Sequence, residues 1–264
     1  MSSPPNHVLT AFGLSGEAVL LPGGQGETWR VGEVVLKPAR FVVEAIWRAE
    51  VLAALPEGLG FRVARPVPAA GGDWVVNGWE ASELLVGATD VRRPDDVLKA
   101  GQVFHEAVAE LPRPEFLDVR DDPWTYGDRV AWEELPVGGS PAYRELVGRL
   151  IKARRPVDLA AQVVHGDLLG NVMFANGLPP AIIDWPVYWR PPPWAAAVAV
   201  VDALCWYDGK PDLAARWAHL PEWGQMLVRA LIYRMTTEDA AHTWTQAHHN
   251  AYQPVVELAL RYTR

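Results

Sequence analysis

Val164-His165-Gly166-Asp167-Leu168-Leu169-Gly170-Asn171-Val172-Met173-Phe174, followed a short loop later by Ala181-Ile182-Ile183-Asp184-Trp185, is the stretch on which the reading of the whole chain turns. Apolar runs flank two carboxylates and one carboxamide, so Asp167, Asn171 and Asp184 are expected on turns between short strands, at the edge of a packed core. Magnesium takes hard oxygen ligands and fills its shell with water and phosphate oxygens. One carboxylate, Asp184, and one carboxamide, Asn171, therefore suffice as protein ligands when a nucleotide supplies the rest. The other carboxylate, Asp167, is left to orient or deprotonate an attacking hydroxyl. The pattern reads as a phosphoryl-transfer loop; the alternative, a hairpin with polar turn residues, does not require these three groups in this order.

Working outward, residues 8–87 read as short strands broken by glycine and proline, with one helix among them. A strand near Ala18-Val19-Leu20-Leu21 leads into the loop Gly23-Gly24-Gln25-Gly26, and Thr28-Trp29-Arg30-Val31 and Val34-Val35-Leu36-Lys37 follow around a turn at Gly32-Glu33. Val43, Ile46, Trp47, Val51, Leu52 and Leu55 recur at helical spacing and predict a helix over 42–55, ended by Pro56-Glu57-Gly58. Strands at 63–67, 74–76 and on into 78–84 complete a small antiparallel sheet. From Pro94 the pattern turns helical, with helices predicted over 95–111, 141–153, after Pro191-Pro192-Pro193, and over 223–238 and 239–262. The shift near Gly87 divides the chain into an N-lobe, 1–87, and a helical C-lobe, 88–264. The acidic and aromatic run at 121–128, with Glu133-Glu134 beyond, reads as a solvated connector or, less favoured, a loop reaching an acceptor.

His165, Gly166, Asp167, Asn171, Ile183, Asp184 and Trp185 together resemble the catalytic core of the aminoglycoside phosphotransferase and choline kinase-like family, relatives of protein kinases. That family's loop reads H-G-D-x-x-x-x-N, followed by I-D-[WF]. Two departures stand out: Asn171 lies four residues after Asp167 where five is usual, and Pro186 stands where protein kinases have the glycine of D-F-G. Proline fixes its backbone φ, which disfavours a flipping Asp segment. Tyr188-Trp189-Arg190-Pro191-Pro192-Pro193-Trp194 adds a similarity to an actinobacterial branch of these phosphotransferases.

The resemblance implies an α+β, two-lobed protein kinase-like fold and an ATP-dependent phosphotransferase acting on a hydroxyl or amine of a small molecule. An amino sugar, aminoglycoside, sugar or amino alcohol would be the acceptor, with ATP (GTP remaining open) and Mg2+ as cofactors. Asp167 takes the role of base or orienter, and Asn171 and Asp184 that of metal ligands. Gly23, Gly24 and Gly26 correspond to the phosphate-covering loop and Lys37 to the phosphate-pairing lysine. The acid partner of Lys37 is Glu44, ahead of Glu50, on the following helix. Ser82, Glu83, Leu84 and Leu85 form the lobe-connecting segment whose backbone meets the base. His165 braces the loop, and His105 resembles a packed helix histidine of the relatives. The rival reading from another class is a nucleotide-binding regulatory module without turnover. A protein kinase acting on another protein is disfavoured, because no A-P-E segment follows Asp184.

Bulk properties narrow the field further. The 264 residues carry 24 Lys plus Arg against 32 Asp plus Glu, a net charge of -8, so no general attraction to nucleic acid or an anionic membrane is expected. Cys205 is the single cysteine, which excludes an intramolecular disulfide and suits a reducing cytoplasm. The N-terminus lacks a basic segment followed by an apolar core, and the apolar run at 194–204 is too short to span a bilayer. His242, His248 and His249 do not fall on one helix face as a zinc site would require. Trp185, Tyr188, Trp189, Arg190 and Trp194 either stack on an acceptor or pack in the core. No pattern in the sequence specifies an oligomeric state.

Overall fold

The computed structural model describes residues 3–22 and 26–263. In chain order the first elements are α1 (Asn6–Ala11), β1 (Val19–Leu20), β2 (Trp29–Val31), β3 (Val34–Pro38), α2 (Val42–Ala54), β4 (Arg62–Val63), β5 (Val75–Val76), β6 (Trp79–Glu83) and β7 (Ala88–Thr89). Then come α3 (Pro94–Ala107), α4 (Pro123–Ala131), α5 (Pro141–Ala153), β8 (Gln162–His165), β9 (Val172–Phe174), β10 (Ala181–Ile182) and β11 (Val187–Arg190). The chain finishes with α6 (Pro192–Trp206), α7 (Asp212–Arg216), α8 (Trp223–Ala240) and α9 (Gln246–Arg261). The fold is α+β, an antiparallel sheet region followed by a largely helical one.

The described residues divide into two compact units. The first runs to Ala88 and also takes in Met173–Ile183; the second comprises Thr89–Val172 and the chain from Asp184 on. The first unit is therefore built from two stretches of sequence. Its main sheet has the order β1-β2-β3-β6-β5, and a second has the order β4-β10-β9-β7, in which β10 runs parallel to β4 with Ala181 opposite Arg62. Leu36 and Ala81, directly opposite across β3 and β6, are buried with Val31, Val8, Leu9 and Phe12 in one core cluster. Val8, Leu9 and Phe12 come from α1, where strands alone were expected before residue 42. Six residues cannot hold a helix unaided; packing of this face on the sheet and the bond from Ala70 N–H to Ala11 O (2.8 Å) fix it.

In the second unit α8 packs against α4, α5, α6 and α9. Positions 194–203 of α6 are buried in unbroken succession, as befits a helix apolar all round but for Asp202. The segment read as a solvated connector is instead α4. Asp122 caps its N-terminus, accepting from Thr125 N–H (2.8 Å), and Pro123 occupies its first turn, where the missing N–H costs nothing. Asp128 on α4 is buried and chelates Arg190, at 2.8 and 2.6 Å, so this one carboxylate of the acidic run faces the core, whereas Asp121, Glu133 and Glu134 are exposed. Gly127 permits this approach: a Cβ there would sit 2.6 Å from the Tyr233 carbonyl oxygen and 2.5 Å from Thr237 Oγ1 on α8. The helices predicted over 223–238 and 239–262 meet at a later break than expected, because α8 runs to Ala240 and Thr245 opens α9 with a capping box that uses His248. No helix among the described residues is long and apolar enough to cross a membrane.

Candidate active site

In the second unit β8 and β11 form an antiparallel ribbon in which His165 lies opposite Val187. The chain leaves β8 towards Asp167 at the same end at which Asp184 enters β11, and Gly166 N–H donates to Pro186 O (3.2 Å) across that end. Both carboxylates therefore emerge from one end of one ribbon. Asp184 is exposed and its φ is +48°, in the left-handed region that aspartate enters more readily than most residues with a side chain.

Behind Asp167 runs a chain of buried hydrogen bonds. His105 Nε2 accepts from His165 N–H (3.0 Å), and His165 Nδ1 accepts from Asp167 N–H (3.1 Å). Each ring nitrogen faces a backbone donor, so each must be an acceptor and both imidazoles are neutral. Burial, with a further contribution from His165, pushes the His105 pKa down to about 3. Phe104 stands edge-on to Trp185 with ring centres 4.8 Å apart, and Trp185 Nε1 donates to Val164 O (3.2 Å).

Asn171 turns back onto Asp167. Its Nδ2 donates to the Asp167 carbonyl oxygen (2.6 Å) and to Oδ2 (3.1 Å). Both partners are acceptors, so the nitrogen must be the atom that faces them, and the carbonyl oxygen Oδ1 is the one left for a cation. The four-residue spacing thus still brings the amide against the carboxylate. Arg234, on α8, donates from Nη2 to Asp167 Oδ1 (2.5 Å) and chelates buried Asp202 through Nε (2.8 Å) and the same Nη2. Neither Arg234 nor Asp202 was among the residues singled out in the sequence. The available signal was a charged residue within the buried run at 226–237, since such a residue needs a partner.

Of the aromatic residues after Asp184, Trp185, Tyr188 and Trp194 are core residues, at 2%, 3% and 0% exposure. Trp189 and Arg190 are half-buried, and Arg190 is held by Asp128 and Glu134. His248 belongs to the α9 cap.

In the first unit Lys37 lies directly opposite Glu80 on the adjacent strand, with Nζ 3.6 Å from Glu80 Oε1. Arg48 on α2 grips the same carboxylate at 2.7 and 2.8 Å. Glu80 and Arg48 were not foreseen, because strand register is not written in a single sequence. Glu44, one helical turn before Arg48, is buried, whereas Glu50 is exposed. Ser82 and Glu83 end β6; the Glu83 N–H is taken by Arg65 O (2.8 Å) and the Leu84 N–H by Glu33 O (2.9 Å), which leaves Leu85 as the first residue past the sheet's bonding. Gly26 has φ +70° and open space around it, while Gly23 and Gly24 lie outside the described residues. Glu27 next to it is buried and paired with Arg40.

The fold is one also seen in solved aminoglycoside phosphotransferases and a choline kinase. In particular, the chain is similar in structure to a thermostable mutant of aminoglycoside phosphotransferase APH(4)-Ia in ternary complex with ADP and hygromycin B (TM-score 0.61, 12% identity, 97% of each chain covered). It is likewise similar to the spectinomycin phosphotransferase APH(9)-Ia in complex with ADP and spectinomycin (TM-score 0.59, 12% identity, 97% of this chain and 96% of that one). A third similar structure is the choline kinase LicA from Streptococcus pneumoniae (TM-score 0.57, 12% identity, 96% of each chain). At such identities the likeness is one of fold. No protein-family profile and no curated protein matches the sequence.

Proposed function

We propose that the protein is an ATP-dependent phosphotransferase that moves the γ-phosphoryl group to a hydroxyl, or an amine, of a small molecule. The observation that carries this reading is the fixed carboxylate of Asp167, held through Oδ1 by Arg234 and through Oδ2 by Asn171 on an HxD loop braced by two neutral histidines. Asp167 orients the acceptor hydroxyl and takes its proton as the oxygen–phosphorus bond forms. The residues fit Mg2+: Asn171 Oδ1 and the exposed Asp184 carboxylate are the hard oxygen donors that would hold it. When bound, that ion neutralises charge on the phosphates.

Residues up to 87 form the nucleotide-binding lobe in this reading. Lys37, with Glu44 of α2 as its acid partner, pairs the phosphates, the loop at Gly23, Gly24 and Gly26 covers them, and the backbone at 82–85 meets the base. That APH(4)-Ia was crystallised with ADP and hygromycin B, and APH(9)-Ia with ADP and spectinomycin, supports nucleotide use and a small acceptor. Amino sugars, aminoglycosides, sugars and amino alcohols are the acceptor classes to try first, since one fold serves many acceptors.

The test is magnesium-dependent ATP and GTP turnover over a panel of those acceptors, comparing wild type with Asp167→Ala and Asp184→Ala. Acceptor-dependent turnover lost in both variants supports the reading and names the substrate class. Nucleotide binding with no turnover on any acceptor would make the protein a regulatory nucleotide binder, and no nucleotide binding at all would sink both.

A further inference from the structure

Phosphoryl transfer gathers negative charge on the oxygens of the moving group, and a cation placed there in advance lowers the barrier. Between Asp167 and Asn171 the loop offers Leu168, Leu169 and Gly170, so it supplies no cation of its own. Arg234 reaches the same place from α8. Its Nε and Nη2 are consumed by Asp202 and Asp167, while Nη1 has no partner among the described residues. Nη1 is not fully buried, and the side chain keeps 12% exposure, so this amino group opens to solvent beside the carboxylate of Asp167, itself 41% exposed. The chelate with Asp202 and the Tyr233 ring, whose centre is 5.1 Å from the guanidinium carbon, hold the group in one orientation.

We propose that Arg234 is a catalytic residue whose Nη1 hydrogens bind the transferring phosphoryl group, with Asp202 as the residue that positions it. The proposal rests on the phosphotransferase reading. The acceptor oxygen–phosphorus bond forms as the bond to the departing nucleoside diphosphate breaks. The acceptor proton goes to Asp167, and Arg234 exchanges no proton. Sharing Arg234 with Asp167 places the cation next to the nucleophile that Asp167 orients, where the charge of the phosphoryl group arrives.

The test is calorimetric binding of Mg·ADP with and without aluminium fluoride, which mimics the phosphoryl group in flight, and needs no knowledge of the acceptor. The variants are Arg234→Lys, which keeps the charge and loses the Nη1 donors, and Arg234→Gln combined with Asp202→Asn, which leaves no unpaired buried carboxylate. Wild type should bind Mg·ADP more tightly when fluoride is added; each variant, compared with its own affinity for Mg·ADP alone, should lose that gain by a factor on the order of 100. Native thermal transitions in the variants exclude misfolding as the cause. A variant that retains the full gain overturns the role of Arg234, as does a wild type that binds Mg·ADP and shows no gain. A wild type that binds no Mg·ADP overturns the phosphotransferase reading itself.

Discussion

Replacing Gly166 by alanine tests how the HxD loop is held. A Cβ at this position would lie 2.3 Å from Tyr188 Cδ2 and 2.4 Å from Cε2, against an ordinary carbon–carbon separation of about 3.5–4.0 Å. The ring has no room to yield: the Tyr188 hydroxyl is bonded to Tyr233 (2.9 Å), the Arg120 guanidinium lies 4.6 Å from its centre, and Trp194 packs on it with ring centres 5.4 Å apart. Loop or ring must therefore move by more than about 1 Å, an overpacking that costs about 1–3 kcal/mol. For a chain of this size each kcal/mol is worth roughly 2–4 °C, so the thermal midpoint should fall by roughly 2–12 °C. The displaced residue is Asp167, next in the chain, and under the proposed function an error of that size in its position costs turnover on the order of 100-fold. Calorimetry and turnover on the acceptor found in the panel measure the two effects. Tyr188→Leu makes space, so Gly166→Ala should cost less in that background, with a coupling above about 0.5 kcal/mol in the double-mutant cycle. Strictly additive midpoints, or a Gly166→Ala protein with wild-type stability and turnover, would refute the argument from close approach.

Three further outcomes are expected. His105 has a folded-state pKa of about 3 against an ordinary value of 6.5, so below pH 6.5 the unfolded chain takes up a proton that the folded one refuses. Its contribution is complete above pH 6.5 and is lost as pH falls towards 3, at about 1.4 kcal/mol per pH unit; urea titrations across that range should show a shallower pH dependence for His105→Gln, and an identical slope counts against the assignment. Glu80→Gln should weaken Mg·ATP binding roughly 10-fold by calorimetry, because Lys37 and Arg48 lose a shared charged partner; undiminished affinity would mean that Lys37 is positioned by other groups. Asp122→Ala removes the acceptor that caps α4 and should lower unfolding free energy by about 1 kcal/mol in urea, with a loss near zero arguing that Pro123 and packing suffice.

The sequence made legible whatever rests on local patterning. The apolar positions at 43–55 mark α2 because they repeat with the helical period, and the HxD loop and Asp184 declare themselves through residue type and order. What stayed hidden depends on long-range pairing. Glu80 faces Lys37 through the register of β3 and β6, and Arg234 reaches Asp167 from a helix 67 residues further along the chain. α4 is a different case: Asp122-Pro123 is a helix-start signal, but the density of acidic residues around it was read as solvation, whereas Asp128 is turned inward by Arg190. α1 offered too few residues to outweigh the prolines before it, and its existence is owed to the sheet beneath.

The excursion of Met173–Ile183 into the first unit fixes an order of assembly. β10 pairs with β4 at Arg62 and Val63, so the second sheet of the N-terminal unit waits for strands encoded beyond α3, α4 and α5. On the ribosome this unit emerges early yet stays unfinished until residue 183 has left the exit tunnel, by which time Asn171 has emerged and Asp184 is the next to do so. A nascent chain stalled before that point carries an incomplete sheet with an open edge, the kind of surface that chaperones and proteases inspect.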